Sequence, residues 1–452
     1  MLIRGGWVVA FDPPLVERVD LRITGDRIVA RNSSLEPGAD EEVLDLEGGL
    51  VLPGLVNAHS HLYSALARGM PSPSPPPRTF PDMLGRVWWR LDRALDEEAI
   101  RLSALVGAIE AALSGTTFIV DHHSSPACVG GSLSTIRAAV EEIGLRSCLC
   151  YEVSDRNGPE AAAAGIEENA AFAAQGPTAL TRGMFGAHAS FTLSDETLDR
   201  VSDAIHDAGS SLHIHAGEDR CDVDDCRARW GLGIVERLKQ HRLLLPRTLL
   251  AHGVHLTSDE VEEAHRNGAW LLHNARSNMN NAVGYAPTAS FKRAALGTDG
   301  IDQDMFCEAR SAYLRMRDAG RKEAMNATMD QLAGGHRLAA ALAGLPFGKV
   351  APGAPADLVV LDYRPPTPMY TANLASHLLF GLDRSHVRCV MVAGRFIVRD
   401  RRIVTVDVEE VYRRARGTAK ALWWRMQNLD DGAPGTSVEE NGRNGRRGKR
   451  RG

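Results

Sequence analysis

The sequence has few cysteines and no long apolar run, and each shortage excludes a class of protein. Seven cysteines, an odd number scattered from Cys128 to Cys389, form no framework of matched spacings, so we expect reduced thiols and not a disulfide-stapled secreted fold. No stretch approaches the run of about 18 apolar residues that spans a bilayer. The N-terminus turns polar too early for a signal peptide, which favours a cytoplasmic protein with no membrane partner.

An excess of basic over acidic residues is also lacking over most of the chain. The formal net charge is -5, and affinity for phosphate backbones needs a basic face, so the body of the protein gives no reason to expect nucleic acid. The exception is the C-terminal tail, residues 429–452, where Arg and Lys alternate with Gly and Asn. Such a tail buries no apolar surface and is predicted to be disordered, with a weak polyanion contact as the alternative.

What the chain does have is a globular composition, with 44% hydrophobic and 24% charged residues. Short alternating strands with Gly turns occupy residues 1–52 and return at 345–406, which predicts one small β-sandwich module built from both termini. An apolar stripe at helical spacing over 407–428 predicts a C-terminal helix packed on the body. A subunit contact through this helix, and hence a homo-oligomer, is the alternative.

The middle of the chain, residues 53–344, alternates short apolar segments with helical patterns. Eight such segments in this length fit a fold of the α/β class, a distorted TIM-like (β/α)8 barrel. Nearly every segment ends in His, Asp, Glu or Asn, and barrel enzymes place their reactive groups at the carboxyl ends of the strands. The proline-rich stretch at 71–81 is either a lid over the barrel mouth or a stiff loop.

Three histidines and one aspartate at these segment ends have the pattern of a metal site. His59 and His61 lie two apart on one strand, so both imidazoles can face one point. His215 ends the fifth segment and Asp299 the eighth. This donor set suits one divalent ion, zinc first with iron or manganese also tolerated, and leaves a position open for water. A structural zinc site would instead be closed by four protein ligands, so the pattern indicates catalysis.

Two further residues, Glu218 and His252, are predicted to act in catalysis beside the ion. A bound divalent ion lowers the pKa of its water to about 7, and Asp299 can then accept the proton. Glu218 follows His215 by three residues and is placed to pass a proton to a substrate ring nitrogen and later to the departing amine. His252 ends the sixth segment and is predicted to hold the attacking water or polarise the substrate, with a further metal bond as the alternative.

Polar residues at other segment ends are candidates for substrate binding. Each could instead make loop hydrogen bonds, the commoner fate of polar groups at strand ends. Arg276 stands out because its guanidinium offers a planar fork for a carboxylate or a ring carbonyl. The predicted substrate-binding residues are His122, His188, Arg276 and Asn278, within a wider set that also holds His123, Glu152, Asp155, Arg156, His273, Asn274 and Asn281.

Taken together, the motifs resemble a known superfamily over roughly residues 1–427. VLPGLVNAHSH, HIHAGE, LLAHGVHL, LLHNARSN and ALGTDG are similar to the amidohydrolases, in their branch of mononuclear deaminases and triazine or cytosine-type hydrolases. WWRLDRALDEE, DHHSSPACVGGSLST and GTDGIDQDMF resemble the SsnA-type aminohydrolases most. The resemblance implies a distorted barrel, a composite sheet module and one zinc or iron ion. It implies these site residues: His59, His61, His215 and Asp299 as ligands, with Glu218 and His252 as catalytic neighbours.

Two departures from this branch limit what the resemblance carries over. The seventh segment has Ala275 and Arg276 where the branch often has His-Asn-Pro-x-Ser-Asn, so substrate specificity does not transfer. Binuclear relatives need a carboxylated lysine on the fourth segment, and MFGAHAS offers none, so one ion is expected.

The sequence therefore predicts a metal-dependent amidohydrolase, and its small-molecule substrate is an amino-substituted nitrogen heterocycle, purine- or pteridine-like, that activated water deaminates. The same site would serve another leaving group, chloride or a cyclic amide, since only the pocket decides between them. A non-catalytic scaffold on this fold would show gaps among the six metal and proton-transfer residues, and none is missing.

Overall fold

The computed structural model of the protein describes residues 1–429, so the tail predicted to be disordered lies outside the described residues from position 430 onward. The chain begins with short strands joined by tight turns. They are β1 (Leu2–Arg4), β2 (Trp7–Phe11), β3 (Pro14–Arg18), β4 (Asp20–Thr24), β5 (Arg27–Asn32), β6 (Val43–Asp45) and β7 (Leu50–Pro53). Four of these strands form a small sheet in the order β5-β4-β1-β6.

The central strands form the barrel that the sequence predicted. They are β8 (Leu55–Ser60), β9 (Thr116–His123), β10 (Arg146–Val153), β11 (Thr181–Gly183), β12 (Phe185–Ala189), β13 (Leu212–Ala216), β14 (Leu249–His252), β15 (Trp270–His273) and β16 (Ala294–Leu296). Eight of them pair in parallel in the order β16-β15-β14-β13-β12-β10-β9-β8, and β11 pairs with β10 off this path. A parallel bridge between Ser60 and Asp299 joins the last strand to the first and closes the ring.

Four C-terminal strands return to the N-terminal ones. They are β17 (Leu358–Leu361), β18 (Val387–Val392), β19 (Arg395–Arg399) and β20 (Arg402–Ile403). A seven-stranded sheet has the order β20-β19-β18-β17-β7-β2-β3, so residues from both ends of the chain share one sheet. Arg146 on β10 forms a buried ion pair with Asp357, just before β17, at 2.6 Å, and this pair ties the sheet to the barrel.

Helices cover the outside of the barrel. They are α1 (Phe80–Met83), α2 (Trp89–Arg93), α3 (Glu97–Leu113), α4 (Ser132–Ile143), α5 (Pro159–Ala174), α6 (Asp195–Ala208), α7 (Arg220–Trp230), α8 (Ile234–Gln240), α9 (Ser258–Arg266), α10 (Ala275–Asn280), α11 (Met305–Asp318), α12 (Ala324–Ala343), α13 (Leu374–Ser376) and α14 (Val408–Gln427). Helix α14 packs on α3 of its own chain. No helix within residues 1–429 is both long enough and apolar enough to cross a membrane.

The alternation of side chains along each strand decides what fills the barrel. On β9, Phe118 and Val120 pack inside with Cys148 and Cys150 of β10, whereas Ile119 points outward to the helices. Two-residue periodicity therefore carries the next inward position of β9 to His122, close to the barrel mouth. The same geometry brings polar residues from separate strands to one end of the barrel.

Candidate active site

The four predicted metal ligands meet at the carboxyl end of the barrel. His59 lies in β8 and His61 directly after it, His215 lies in β13, and Asp299 follows β16. The distance from His61 Nε2 to His215 Nε2 is 3.2 Å. Asp299 Oδ1 lies 3.0 Å from His61 Nε2 and 3.6 Å from His59 Nε2. Residues separated by up to 240 positions in sequence thus share one centre.

Hydrogen bonds at the Nδ1 atoms of His61 and His215 turn their Nε2 atoms toward that centre. The Nδ1 of His61 lies 2.6 Å from the carbonyl oxygen of His122, and the Nδ1 of His215 lies 2.9 Å from that of His188. A carbonyl oxygen only accepts, so each Nδ1 carries the proton and each Nε2 presents a lone pair. His59 is held differently, because its Nδ1 lies 2.9 Å from His213 Nε2.

The spacing of these donors fits a tetrahedral divalent ion. Zinc bonds of about 2.05 Å in tetrahedral geometry separate neighbouring donors by about 3.3 Å. The distances from His61 to His215 and from Asp299 to His61 and His59 bracket that value. The ligand atoms of His59, His215, His252 and Asp299 also lie within 4.8 Å of one another, so His252 is a further candidate ligand. The buried Nε2 atoms of His59 and His252 have no hydrogen-bond partner within residues 1–429. Burial lowers the pKa of His59 to about 3, which keeps its imidazole neutral, as a ligand must be.

His252 and Glu218 stand beside this centre. His252 Nε2 lies 3.5 Å from Glu218 Oε2 and 3.9 Å from Asp299 Oδ2. Asn278 Oδ1 lies 2.9 Å from His252 Nδ1 and accepts its proton, which aims Nε2 at the centre. Asn281 Nδ2 donates to Glu218 Oε1 at 3.2 Å. Burial raises the pKa of Glu218 to about 7, so its carboxyl can carry a proton near neutral pH.

The backbone is strained at two of these residues. His252 and Asp299 have φ angles of 73° and 57°, in the left-handed region that non-glycine residues rarely adopt. At the end of a strand, this conformation turns the side chain across the barrel mouth. Such strain collects at functional sites, where the surrounding structure holds it in place.

A cavity opens from the centre and is walled by aromatic and acidic side chains. Helices α1 and α2, with the π-helical turn between them, form one side of it. The lining residues are His61, Tyr63, Phe80, Leu84, Trp88, Trp89, Asp92, Glu152, His188, His215, Glu218, Asn281, Asp299 and Gly300. The aromatic wall suits a planar ring, and the carboxylates suit a ligand that donates hydrogen bonds.

Of the predicted substrate-binding residues, one lines this cavity and three lie behind its wall. His188 faces the cavity. His122 is fully buried and contacts the His213 carbonyl, and Asn278 supports His252. Burial lowers the pKa of His122 to about 3 and that of His188 to about 4.

Arg276 also departs from its predicted role as a fork for substrate. Its Nη1 and Nη2 donate to Asp302 at 2.7 and 2.6 Å, and its Nε donates to Glu308 at 2.6 Å. Two carboxylates therefore neutralise the guanidinium outside the cavity lining. The structure does not bring Arg276 into contact with the centre.

Several residues that the fold brings to the site are not among those predicted from the sequence. Tyr63, Phe80, Trp88 and Trp89 wall the cavity, and His213 supports His59. The signal for His213 was present in the His-x-His spacing of HIHAGE, which matches that of His59 and His61. The aromatic wall had no such signal, because Tyr63 lies before the proline-rich stretch, Phe80 at its end, and Trp88 and Trp89 just after it, in a part of the chain without regular periodicity.

Comparison with known proteins places the chain in a family. The model of the "Amidohydrolase family" matches residues 50–397. A 5-methylthioadenosine/S-adenosylhomocysteine deaminase of Desulforudis audaxviator is 31% identical over 89% of this chain and 94% of its own length. A 5'-deoxyadenosine deaminase of Methanothermobacter thermautotrophicus is 29% identical over 90% of this chain and 95% of its own length.

Solved structures share the fold. An adenosine deaminase from Xanthomonas campestris with bound zinc superposes with a TM-score of 0.82 at 24% identity, covering 95% of this chain and 98% of that one. The zinc complex of the atrazine chlorohydrolase TrzN from Arthrobacter aurescens gives 0.79 at 22% identity, covering 93% and 99%. The barrel fold and the resemblance to amidohydrolases are thereby confirmed, and the chain belongs to the amidohydrolase family.

Proposed function

We propose that the protein deaminates an amino-substituted nitrogen heterocycle by hydrolysis at one metal ion, zinc in the first place. The observation that carries the proposal is the convergence of Glu218, His252 and Asp299 on the same point as three imidazole donors. Proton-transfer groups beside metal donors are what hydrolysis of a C–N bond requires.

The residues present fit the ion and divide the work around it. His59, His61, His215 and Asp299 would hold the ion, which supplies Lewis acidity and lowers the pKa of water from 15.7 to about 7. His252, fixed by Asn278, orients the attacking water, and Asp299 accepts a proton from it.

Glu218 handles the substrate's protons. Its carboxyl gives a proton to the ring nitrogen beside the amino-bearing carbon, which makes that carbon more electrophilic. Oxygen bonds to the carbon, and Glu218 takes up the remaining proton of the added oxygen and passes it to the amine. The C–N bond then breaks, ammonia leaves, and the proton held by Asp299 returns to Glu218. The ring then carries a carbonyl where the amino group stood.

The relatives support this choice of leaving group. Two proteins similar along about nine tenths of the chain are named as deaminases of adenosine analogues. The aromatic cavity wall is suited to a purine- or pteridine-like ring. Hydrolytic removal of a chloride substituent and hydrolysis of a cyclic amide need the same centre. The assay therefore has to identify which group is released.

The test is ammonia release from a panel of amino heterocycles, with chloride and ring-opened products measured in parallel. A chelator should abolish turnover, and zinc should restore it. Asp299→Ala should reduce turnover to background in a folded protein. Asp203→Ala, which makes the same change at an exposed carboxylate on α6, serves as the matched control. Turnover that survives Asp299→Ala, or release of chloride without ammonia, would contradict the proposal.

A further inference from the structure

One wall of the cavity carries a carboxylate that no described residue satisfies. Glu152 ends β10, its side chain is 4% exposed, and it lines the cavity. No donor within residues 1–429 forms a hydrogen bond to its oxygens. Two imidazole nitrogens lie within 4 Å of these oxygens: His122 Nδ1, 3.3 Å from Oε2, and His188 Nε2, 3.9 Å from Oε1. Whether Glu152 is satisfied depends on which nitrogens of these rings carry protons.

The ring of His122 turns a lone pair toward Glu152. Its Nε2 lies 3.2 Å from the carbonyl oxygen of His213, which can only accept, so Nε2 carries the proton. The fully buried Nδ1 is then an acceptor, and it has no hydrogen-bond partner within the described chain. Two acceptors therefore face each other across 3.3 Å.

The ring of His188 does the same from the other side. Its Nδ1 lies 2.7 Å from Thr192 Oγ1, and that hydroxyl donates its own proton to the carbonyl oxygen of Ala189 at 3.0 Å. The hydroxyl oxygen must accept, so His188 Nδ1 carries the proton. His188 Nε2 then offers a lone pair to the cavity beside Glu152.

Glu152, His122 and His188 thus form an acceptor wall, a set of buried acceptors with no donor among them. Buried acceptors without partners are unfavourable, so such a wall is suited to a ligand that brings N–H groups. Its position is informative as well. The carboxylate of Glu152 lies within 4.8 Å of the ligand atoms of His61 and His215, whereas Glu218 approaches from β13. The two glutamates can therefore meet adjacent edges of one small ring.

We propose that the site selects heterocycles whose amino-bearing carbon lies between a basic ring nitrogen and a ring N–H. This inference rests on the proposed deamination. Glu218 protonates the basic nitrogen, while Glu152 and His188 accept from the N–H, which keeps its proton throughout. The oxygen of water bonds to the amino-bearing carbon and the exocyclic C–N bond breaks, while the two protons of water end on the basic ring nitrogen and on the departing ammonia.

This edge separates two classes of substrate. Guanine, pterin and isocytosine have it, because their amino-bearing carbon stands between an unprotonated nitrogen and a lactam N–H. Adenine and cytosine do not, because the flank away from the basic nitrogen is a ring carbon. In adenine, the next atom beyond that carbon is N7, an acceptor that would face the wall. The proposal therefore sets this chain apart from the adenosine-analogue deaminases that it resembles.

Isocytosine and cytosine test the proposal well, since they are isomers that differ in the edge. With the zinc-loaded full-length protein, we expect kcat/KM for ammonia release to be at least tenfold higher for isocytosine, and higher for guanine than for adenine. Glu152→Gln keeps an acceptor oxygen but loses the charge, so it should lower the value for isocytosine by about 5- to 10-fold, the difference between a hydrogen bond to a charged acceptor and one to a neutral acceptor, and should leave that for cytosine within threefold. Glu152→Asp should restore part of the loss.

Two controls make every outcome decisive. Glu160→Gln makes the same chemical change at an exposed position of α5 and should alter kcat/KM for neither substrate. Zinc content and circular dichroism establish that each variant is folded and loaded with zinc. Calorimetric binding of the four ring compounds is measured beside turnover. Preferential binding of isocytosine and guanine without ammonia release would refute the deamination and keep the edge selection. Equal binding of the isomers, a preference for cytosine and adenine, or an equal loss for both substrates in Glu152→Gln would overturn the inference.

Discussion

His213 supports His59, a proposed metal ligand, through a side chain that mutation can remove. At His61 and His215, the groups that fix the ring are backbone carbonyls, which no substitution deletes. At His59 the corresponding group is the His213 imidazole, whose Nε2 accepts from His59 Nδ1 at 2.9 Å. The other nitrogen of His213 lies 3.8 Å from the thiol of Cys150. His213→Phe therefore tests the support of His59 without touching a ligand.

Two independent arguments give the size of the effect. Loss of a hydrogen bond to a metal-bound histidine lowers metal affinity by about 10- to 100-fold, or about 1.4 to 2.7 kcal/mol. The second argument is the burial of an unpaired donor. His213→Phe leaves the Nδ1–H of His59 without an acceptor in a site that is fully buried, which costs about 1 to 3 kcal/mol. The two ranges agree, so we expect zinc to bind about 10- to 100-fold more weakly.

The assay is zinc competition against a chromophoric chelator, with unfolding of the metal-free protein measured in parallel. His213→Gln places an amide oxygen near the lost acceptor and should recover much of the affinity. Cys150→Ala should have a smaller effect, because the thiol contacts only the remote nitrogen of His213. If His213→Phe bound zinc within twofold of the parent, or if Phe and Gln were equally impaired, the account of how His59 is oriented would be refuted.

Three further changes follow from the same contacts. Glu218→Gln should lower kcat by about 10²- to 10⁴-fold, the usual contribution of a general acid, with zinc content unchanged; loss of zinc in proportion to activity would make Glu218 a ligand instead. Asp357→Asn should lower the free energy of unfolding by about 3 to 5 kcal/mol, because Arg146 stays buried and charged. Replacing both Arg146 and Asp357 by apolar residues should restore stability, as measured by denaturant unfolding. Gly297→Ala should weaken zinc binding, since its new Cβ would lie 2.7 Å from the Cβ of His59; unaltered affinity would mean that the strand shifts freely.

The barrel was predictable because its strands carry their own signal. Each is a short run of buried residues between helical patterns, and β9 and β10 are buried along all eight of their residues. The segment from Phe80 to Arg93 carried no such signal. It includes a π-helical turn, and its course is set by contacts with the cavity and with α14, as when Arg90 donates to the Met426 carbonyl at 2.6 Å. Contacts between distant segments cannot be read from local periodicity.

The difference between local periodicity and distant contacts also explains which site residues could be predicted from the sequence and which could not. His59 and His61 needed only the two-residue period of a strand to face one point. The role suggested for Arg276 depended on what surrounds the guanidinium, and its partners Asp302 and Glu308 lie 26 and 32 residues further along the chain. Residue type indicates what a side chain can do, whereas only the fold decides whether its hydrogen bonds are already used.

At His252 and Asp299 a strained backbone is combined with side chains that point at the centre. A left-handed conformation costs a residue with a Cβ about 1 to 2 kcal/mol, and glycine adopts it freely. Gly253 follows His252 and also has a positive φ of 60°, so glycine at position 252 would fit the turn with less strain. The chain nevertheless has an imidazole and a carboxylate at the two strained positions, and both side chains point at the centre. The strain, together with the convergence of both side chains on one centre, therefore supports their role in the chemistry.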